Sequence, residues 1–143
     1  VLAKLPRIVG VKDATGDLDF AAEILRGRPD NFVHLSGDDS ATLPLVAMGG
    51  DGVISVIANE VPGRFAEMVR LARDSQMAGA REIANELYPL MKANFIETNP
   101  IPVKAALAMM GIIGENYRLP LCPMAPANRD RLRKVLVDLK LVA

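Results

Sequence analysis

The sequence predicts an α/β fold: the last three parallel strands of a (β/α)8 barrel, followed by a carboxyl-terminal helical region. Three observations carry this. Short β-rich runs alternate with helical stretches between residues 8 and 56, in the order strand, helix, strand, helix, strand. That spacing is a repeated βαβ unit, hence a parallel sheet with right-handed crossovers. The first run, Ile8-Val9-Gly10-Val11-Lys12, has apolar residues on both faces, as suits a parallel strand covered by helices. Beyond residue 60 the apolar spacing turns helical and stays so. Three parallel strands followed only by helices leave a sheet edge bare, which native proteins avoid. A closed (β/α)8 barrel needs about 250 residues, and these units with their helical tail look like the last part of one. Residues 1–60 are thus read as part of a barrel, and 61–143 as its final helix plus a helical extension.

In order, the strand Ile8–Lys12 ends in a turn, Ala-Thr-Gly-Asp, where Asp17 is suited to cap a helix near Leu18–Arg26. Ala21, Ala22, Ile24 and Leu25 form that helix's apolar face, and Gly27 and Pro29 stop it. Phe32–Ser36 is a second strand. Gly37-Asp38-Asp39-Ser40 is a turn opening a second helix that runs to about Met48. Gly49-Gly50-Asp51-Gly52 breaks that helix, and Val53–Val56 is a third short strand. Pro62 sits well at the first turn of a helix to about Arg73. A further helix spans about Ala78–Ala93, with Ile83, Leu87, Leu90 and Met91 at helical spacing and Pro89 as a kink point. Asn99-Pro100-Ile101-Pro102 starts another, ending at Gly111. After an irregular segment holding Pro120 and Pro123, Pro126 begins a last helix with Leu132, Val135, Leu136 and Leu139 on one side. No repeat longer than the βα unit and no low-complexity stretch is present.

Composition narrows the function. The 143 residues suit one ordinary domain, and half of them are hydrophobic, enough for a core. The 17 basic and 17 acidic residues balance, with no basic stripe, and there is no Trp to stack on bases, which argues against nucleic acid. A single cysteine, Cys122, permits no internal disulfide and points to a reducing compartment. One His and one Cys do not make a typical zinc site. No apolar run reaches the roughly 18 residues of a membrane span. The opening Val-Leu-Ala-Lys-Leu-Pro has neither an initiator Met nor a signal-peptide pattern, so a cut through a longer chain is expected.

Lys12 stands at the carboxyl end of the first strand, the end at which α/β enzymes hold their active sites. Strand alternation puts Ile8, Gly10 and Lys12 on one face and Val9, Val11 and Asp13 on the other, with Gly10 leaving space beside the lysine stem. From the residues alone, a solvated surface lysine paired with an aspartate is the competing reading. Asp38 and Asp39 read as turn and cap residues before acid/base groups. His34 is mid-strand and not expected to be catalytic. The glycines of 49–52 offer bare amides to a phosphate, but no Lys-Ser or Lys-Thr follows, and a helix-to-strand loop explains them. Asn99 is first a helix entry.

Four motifs in order, Gly-Val-Lys-Asp-Ala-Thr-Gly-Asp (10–17), Leu-Ser-Gly-Asp-Asp (35–39), Gly-Gly-Asp-Gly-Val-Ile-Ser-Val (49–56) with Ala58-Asn59, and Asn-Pro-Ile-Pro-Val-Lys (99–104), closely resemble the dihydrodipicolinate synthase family, over its carboxyl-terminal half. Relatives in the pyruvate-dependent class I aldolase superfamily, such as N-acetylneuraminate lyase, share the TIM barrel and the lysine but look less similar at 35–39 and 99–104. The resemblance implies that Lys12 is the Schiff-base lysine, attacking the ketone of pyruvate and holding it as an enamine for condensation with L-aspartate 4-semialdehyde in lysine and diaminopimelate synthesis. It implies that Gly37 lines the pocket with backbone, that Ile54 touches pyruvate while also serving the core, and that Asn99 shapes the mouth of the site. No cofactor and no metal are implied; a cytoplasmic homotetramer is.

The chemistry explains the lysine. A free amine with pKa about 10.4 is neutral only to a fraction on the order of 0.0004 at pH 7, and bringing it near 7.5 means disfavouring the ammonium by roughly 4 kcal/mol. Burial among apolar strand residues is the expected means. In the family, threonines hold the pyruvate carboxylate, a tyrosine relay moves protons and a basic residue helps bind the second substrate, all from earlier strands or loops. The lysine-feedback site also lies mainly there. Tyr88 and Tyr117 match none of these positions. The fragment alone is therefore expected to be a poor synthase, and a non-catalytic half-barrel assembly module is the rival reading. Lys12, Gly37 and Ile54 are expected to converge at the strands' carboxyl ends, with the Lys12 amine facing inward.

Overall fold

The computed structural model describes residues 2–143. Three strands, β1 (Gly10–Asp13), β2 (Val33–Ser36) and β3 (Gly52–Val53), form one parallel sheet in the order β1-β2-β3. Val11 pairs with His34, Lys12 with Leu35, and Leu35 with Gly52. The crossovers are α1 (Leu18–Gly27) and α2 (Thr42–Ala47). A 3₁₀ turn at Ile57–Asn59 follows β3 and leads to α3 (Pro62–Arg73), α4 (Met77–Ala93), α5 (Ile101–Met109) and α6 (Pro126–Asp138).

Helix starts follow the expected signals. The Asp17 carboxylate accepts from Asp19 N and Phe20 N at 3.0 Å, capping α1. Proline occupies the first turn of α3, α5 and α6, where a missing N–H costs nothing. Pro89 lies inside α4, which continues to Ala93. Gly111 takes φ of +74° just past α5, a left-handed stop that a side chain would strain.

The strands differ from expectation. β1 begins two residues late, because Ile8 N turns back onto Leu5 O at 3.0 Å. The run expected at 53–56 pairs only over Gly52–Val53. Ile54 N still reaches Ser36 O at 2.9 Å, but the Val56 N–H is taken by the Asp39 carboxylate, which draws the chain off the ladder into the 3₁₀ turn.

The core lies among the helices. Phe65 and Met68 of α3, Leu87 and Leu90 of α4, and Leu132 and Leu136 of α6 are fully enclosed, together with Ile57 from the 3₁₀ turn. The expected apolar stripe of α4 is buried throughout; on α6 Leu132 and Leu136 are buried, and Val135 and Leu139 are half-buried against them. On α1 only Ala21 of the four expected residues is buried; Ala22 is exposed, and Ile24 and Leu25 are half-buried.

Candidate active site

The two faces of the sheet have opposite characters. Asp13 and Ser36 line one crevice with Ala21 of α1 and Leu45 of α2, so that face is covered by helices. His34 is on it too, wholly buried, with Nε2 3.3 Å from Asp13 Oδ2. Thr15 donates to Asp13 Oδ1 through its backbone N at 2.9 Å and its hydroxyl at 2.7 Å. Burial pushes the Asp13 carboxyl up, but the Thr15 hydrogen bonds and His34 outweigh it and hold the group below its ordinary value.

By alternation Lys12, Leu35 and Ile54 belong to the other face, where α3 shares a cavity with Leu35 but Lys12 and Ile54 stay open. Lys12 is exposed, and Ile54 is 51% exposed. The apolar enclosure expected around the lysine is thus not supplied by this chain. Strand alternation sets its side chain on the face opposite Asp13 and His34.

Gly37 touches the lysine directly. A Cβ at Gly37 would lie 2.9 Å from Lys12 Cε and 2.7 Å from Ala14 Cβ. Gly37 N donates to Asp13 O, continuing the ladder beyond the strand. The space beside the lysine stem comes from Gly37 and not from Gly10, as alternation alone had it. At Gly10 a Cβ would meet Val33 O at 2.6 Å, so that glycine permits the close approach of β1 to β2. Ile54 follows from the same register: its N–H bond to Ser36 O sets it beside Gly37, one strand across. Replacing Gly37 by Ala is expected to cost about 1–3 kcal/mol, because Ala14 is backbone-anchored and cannot step aside. Urea unfolding reads this directly, and an unchanged midpoint would refute the close contact.

Buried polar groups fix the loops behind this face. Asp38 Oδ1 accepts from Ser40 N at 2.8 Å and Ala41 N at 3.2 Å, which is the expected turn role; the cap position of α2 is Ala41, with no side-chain cap bond. Asp39 does something the sequence reading missed. It is 2% exposed, and its carboxylate accepts from Val56 N and, at 3.0 Å, Ile57 N. It caps the 3₁₀ turn after β3, not its own helix, and so joins the loop carrying Gly37 to the segment carrying Ile54. An aspartate pair after a strand signals a cap, but nothing local says which helix is capped. At the opposite end of the strands, Arg28 pairs with Asp51 and donates to Gly49 O at 3.0 Å, while Asp51 accepts from His34 N at 2.8 Å. Burial raises the Asp51 carboxyl, but the His34 amide and Arg28 more than offset it and leave it lowered. The 49–52 glycines serve this helix-to-strand loop. Asn99 immediately precedes Pro100, the cap of α5.

Tyr88 is on α4 and half exposed. Tyr117 follows α5, donates to Glu115 at 3.1 Å and lies under Lys104; burial and the Glu115 bond push its phenol up to about 12. Neither tyrosine belongs to the Lys12 face. Among the described residues no His, Cys, Asp and Glu cluster suits a metal ion, and no helix is long and apolar enough to cross a membrane. Cys122 is exposed.

Comparison with known proteins agrees with this geometry. The dihydrodipicolinate synthetase family matches residues 1–139. A 4-hydroxy-tetrahydrodipicolinate synthase of Koribacter versatilis is 50% identical over 137 residues, covering 96% of this chain and 46% of the relative. The solved dihydrodipicolinate synthase of Aquifex aeolicus superposes with a TM-score of 0.95 at 44% identity, over 98% of this chain and 48% of that one. The chloride-inhibited enzyme of Acinetobacter baumannii, solved in complex with pyruvate, gives 0.95 at 39% identity, over 99% and 48%. The chain spans about half the length of the curated relatives it matches. With its three parallel strands, its helical tail and nearly its whole length matched, it belongs to the dihydrodipicolinate synthetase family.

Proposed function

We propose that this chain supplies the Schiff-base half of a 4-hydroxy-tetrahydrodipicolinate synthase. Lys12 is the nucleophile: its neutral amine adds to the ketone carbon of pyruvate, the carbinolamine loses water, and loss of a methyl proton leaves an enamine that attacks the aldehyde of L-aspartate 4-semialdehyde. Gly37 keeps the lysine stem's path open, and Ile54 presents an apolar wall to the bound pyruvate. The reading rests on the lysine at a strand's carboxyl end, on the sheet face opposite Asp13 and His34, with its Cε close to Gly37. The relatives' printed activity points the same way.

Closing the open face around Lys12 requires further strands, which would also supply the acid/base groups that this face lacks. The working protein is proposed to be a homo-oligomer of the reducing cytoplasm, in keeping with the lone exposed cysteine.

Borohydride trapping with pyruvate, read by peptide mass spectrometry, tests the assignment. A pyruvyl adduct on Lys12 is expected. An adduct on another lysine, or none in an assembled barrel, removes Lys12 from the mechanism and favours a non-catalytic assembly module.

A further inference from the structure

Two polar side chains are buried with unused hydrogen-bonding atoms where the 3₁₀ turn meets the end of α4. Glu60 caps the turn and is 5% exposed; Asn94 caps α4 and is wholly buried. Asn94 Nδ2 donates to Glu60 Oε2 at 2.6 Å. Glu60 Oε1 and Asn94 Oδ1 are both enclosed and without a partner.

A count of donors decides the protonation state. A carboxylate only accepts, and so does an amide oxygen. With Glu60 ionised, the pair would hold two desolvated acceptors and no proton to share between them, an arrangement that is costly away from water. A neutral carboxyl brings the one O–H the pair lacks. The charged neighbours do not rescue an anion. Asp39, from the loop after β2, acts on Glu60 with a like charge. On α3, Arg64 is turned outward to Glu67 and Glu86. On α4, Lys92 is exposed, and on α5, Lys104 lies over the Tyr117 ring.

We propose that Glu60 and Asn94 form a proton-held latch, an acid–amide pair closed only while Glu60 is neutral, which fastens the turn after β3 to the end of α4. Burial, with a smaller push from Asp39, raises the Glu60 carboxyl to about 8 against the pull of Asn94. An unfolded glutamate titrates near 4.3. The folded value is the higher one, so the latch's stabilisation is complete below about pH 4.3 and is lost as pH rises through about 8. Because the turn directly follows the Ile54 segment, alkaline opening would loosen one wall of the Lys12 face. The latch itself does not depend on what that face catalyses.

Carbon-13 NMR of the chain labelled at its glutamate carboxyls tests this, with Glu60→Gln identifying the resonance. One carboxyl is expected to titrate near pH 8, roughly four units above an ordinary glutamate. Infrared difference spectra between about pH 6 and pH 9 should show loss of a protonated carboxyl stretch, a readout that needs no variant. Glu60→Gln, whose amide supplies a permanent donor, should remove the fall in thermal midpoint that the unsubstituted chain shows between those pH values. A Glu60 midpoint in the ordinary range overturns the proposal, whether the acid ionises in place or the junction is open. So does an infrared spectrum with no protonated carboxyl at pH 6.

Discussion

The 143-residue chain, given pyruvate and aspartate semialdehyde, is expected to turn over at least about a hundredfold more slowly than an intact synthase, and to gain activity on mixing with a complementary amino-terminal half. Imine formation needs a lysine, but dehydration of the carbinolamine and the later proton transfers need positioned acids and bases, each contributing about 10²–10⁴-fold. No tyrosine of this chain reaches the Lys12 face. The lysine is also left exposed, without the enclosure that a barrel interior would give it. The same openness predicts self-association. β1 and β3 each have a strand neighbour on one side only among the described residues, and Val9, Phe20 and Ile54 are 68%, 45% and 51% exposed. Coupled-enzyme kinetics and sedimentation on the same samples check both effects. Full activity from the chain alone would mean that the catalytic groups are misplaced here.

Truncating Phe65 to alanine is expected to cost about 3–5 kcal/mol, a large share of the roughly 5–15 kcal/mol that holds a domain folded. Phe65 is 2% exposed on α3, in the cluster that joins α3 to α4 and to Ile57. Its loss should detach the helical region from the turn after β3. Chemical denaturation measures this, with Val137→Ala on the partly exposed side of α6 as a near-neutral comparison. A loss below about 1 kcal/mol for Phe65 would show that the core is not centred where the helices place it.

The helical half was legible because its signals are local: a proline opens α3, α5 and α6, and the spacing of Leu132 and Leu136 names the buried stripe. The order and parallel sense of the strands were legible from the βαβ spacing. Strand ends were not. Val56 has every mark of a strand residue, and only a carboxylate 17 positions earlier takes its N–H away. Alternation sorted Lys12 and Asp13 onto opposite faces but said nothing of distances across strands, so the clearance credited to Gly10 belongs to Gly37. The extent of Lys12 burial was misread for a related reason: a three-stranded sheet does not enclose a lysine as a closed barrel does. Glu60 and Asn94 are 34 residues apart, and neither marks itself as one of a pair.

Asp39's hold on Val56 and Ile57 bears on how such a site can move. The loop after β2 and the segment after β3 are tied through a carboxylate with almost no access to water, so they shift together or not at all. Breaking that tie exposes two buried amides at once, which sets it among the last parts of the structure to open. While the Glu60–Asn94 latch is closed, the wall carrying Gly37 and Ile54 therefore behaves as a fixed jaw. Any gating that admits substrate or sheds product has to come from the opposite wall, and loop mobility measured on the assembled barrel should be concentrated there.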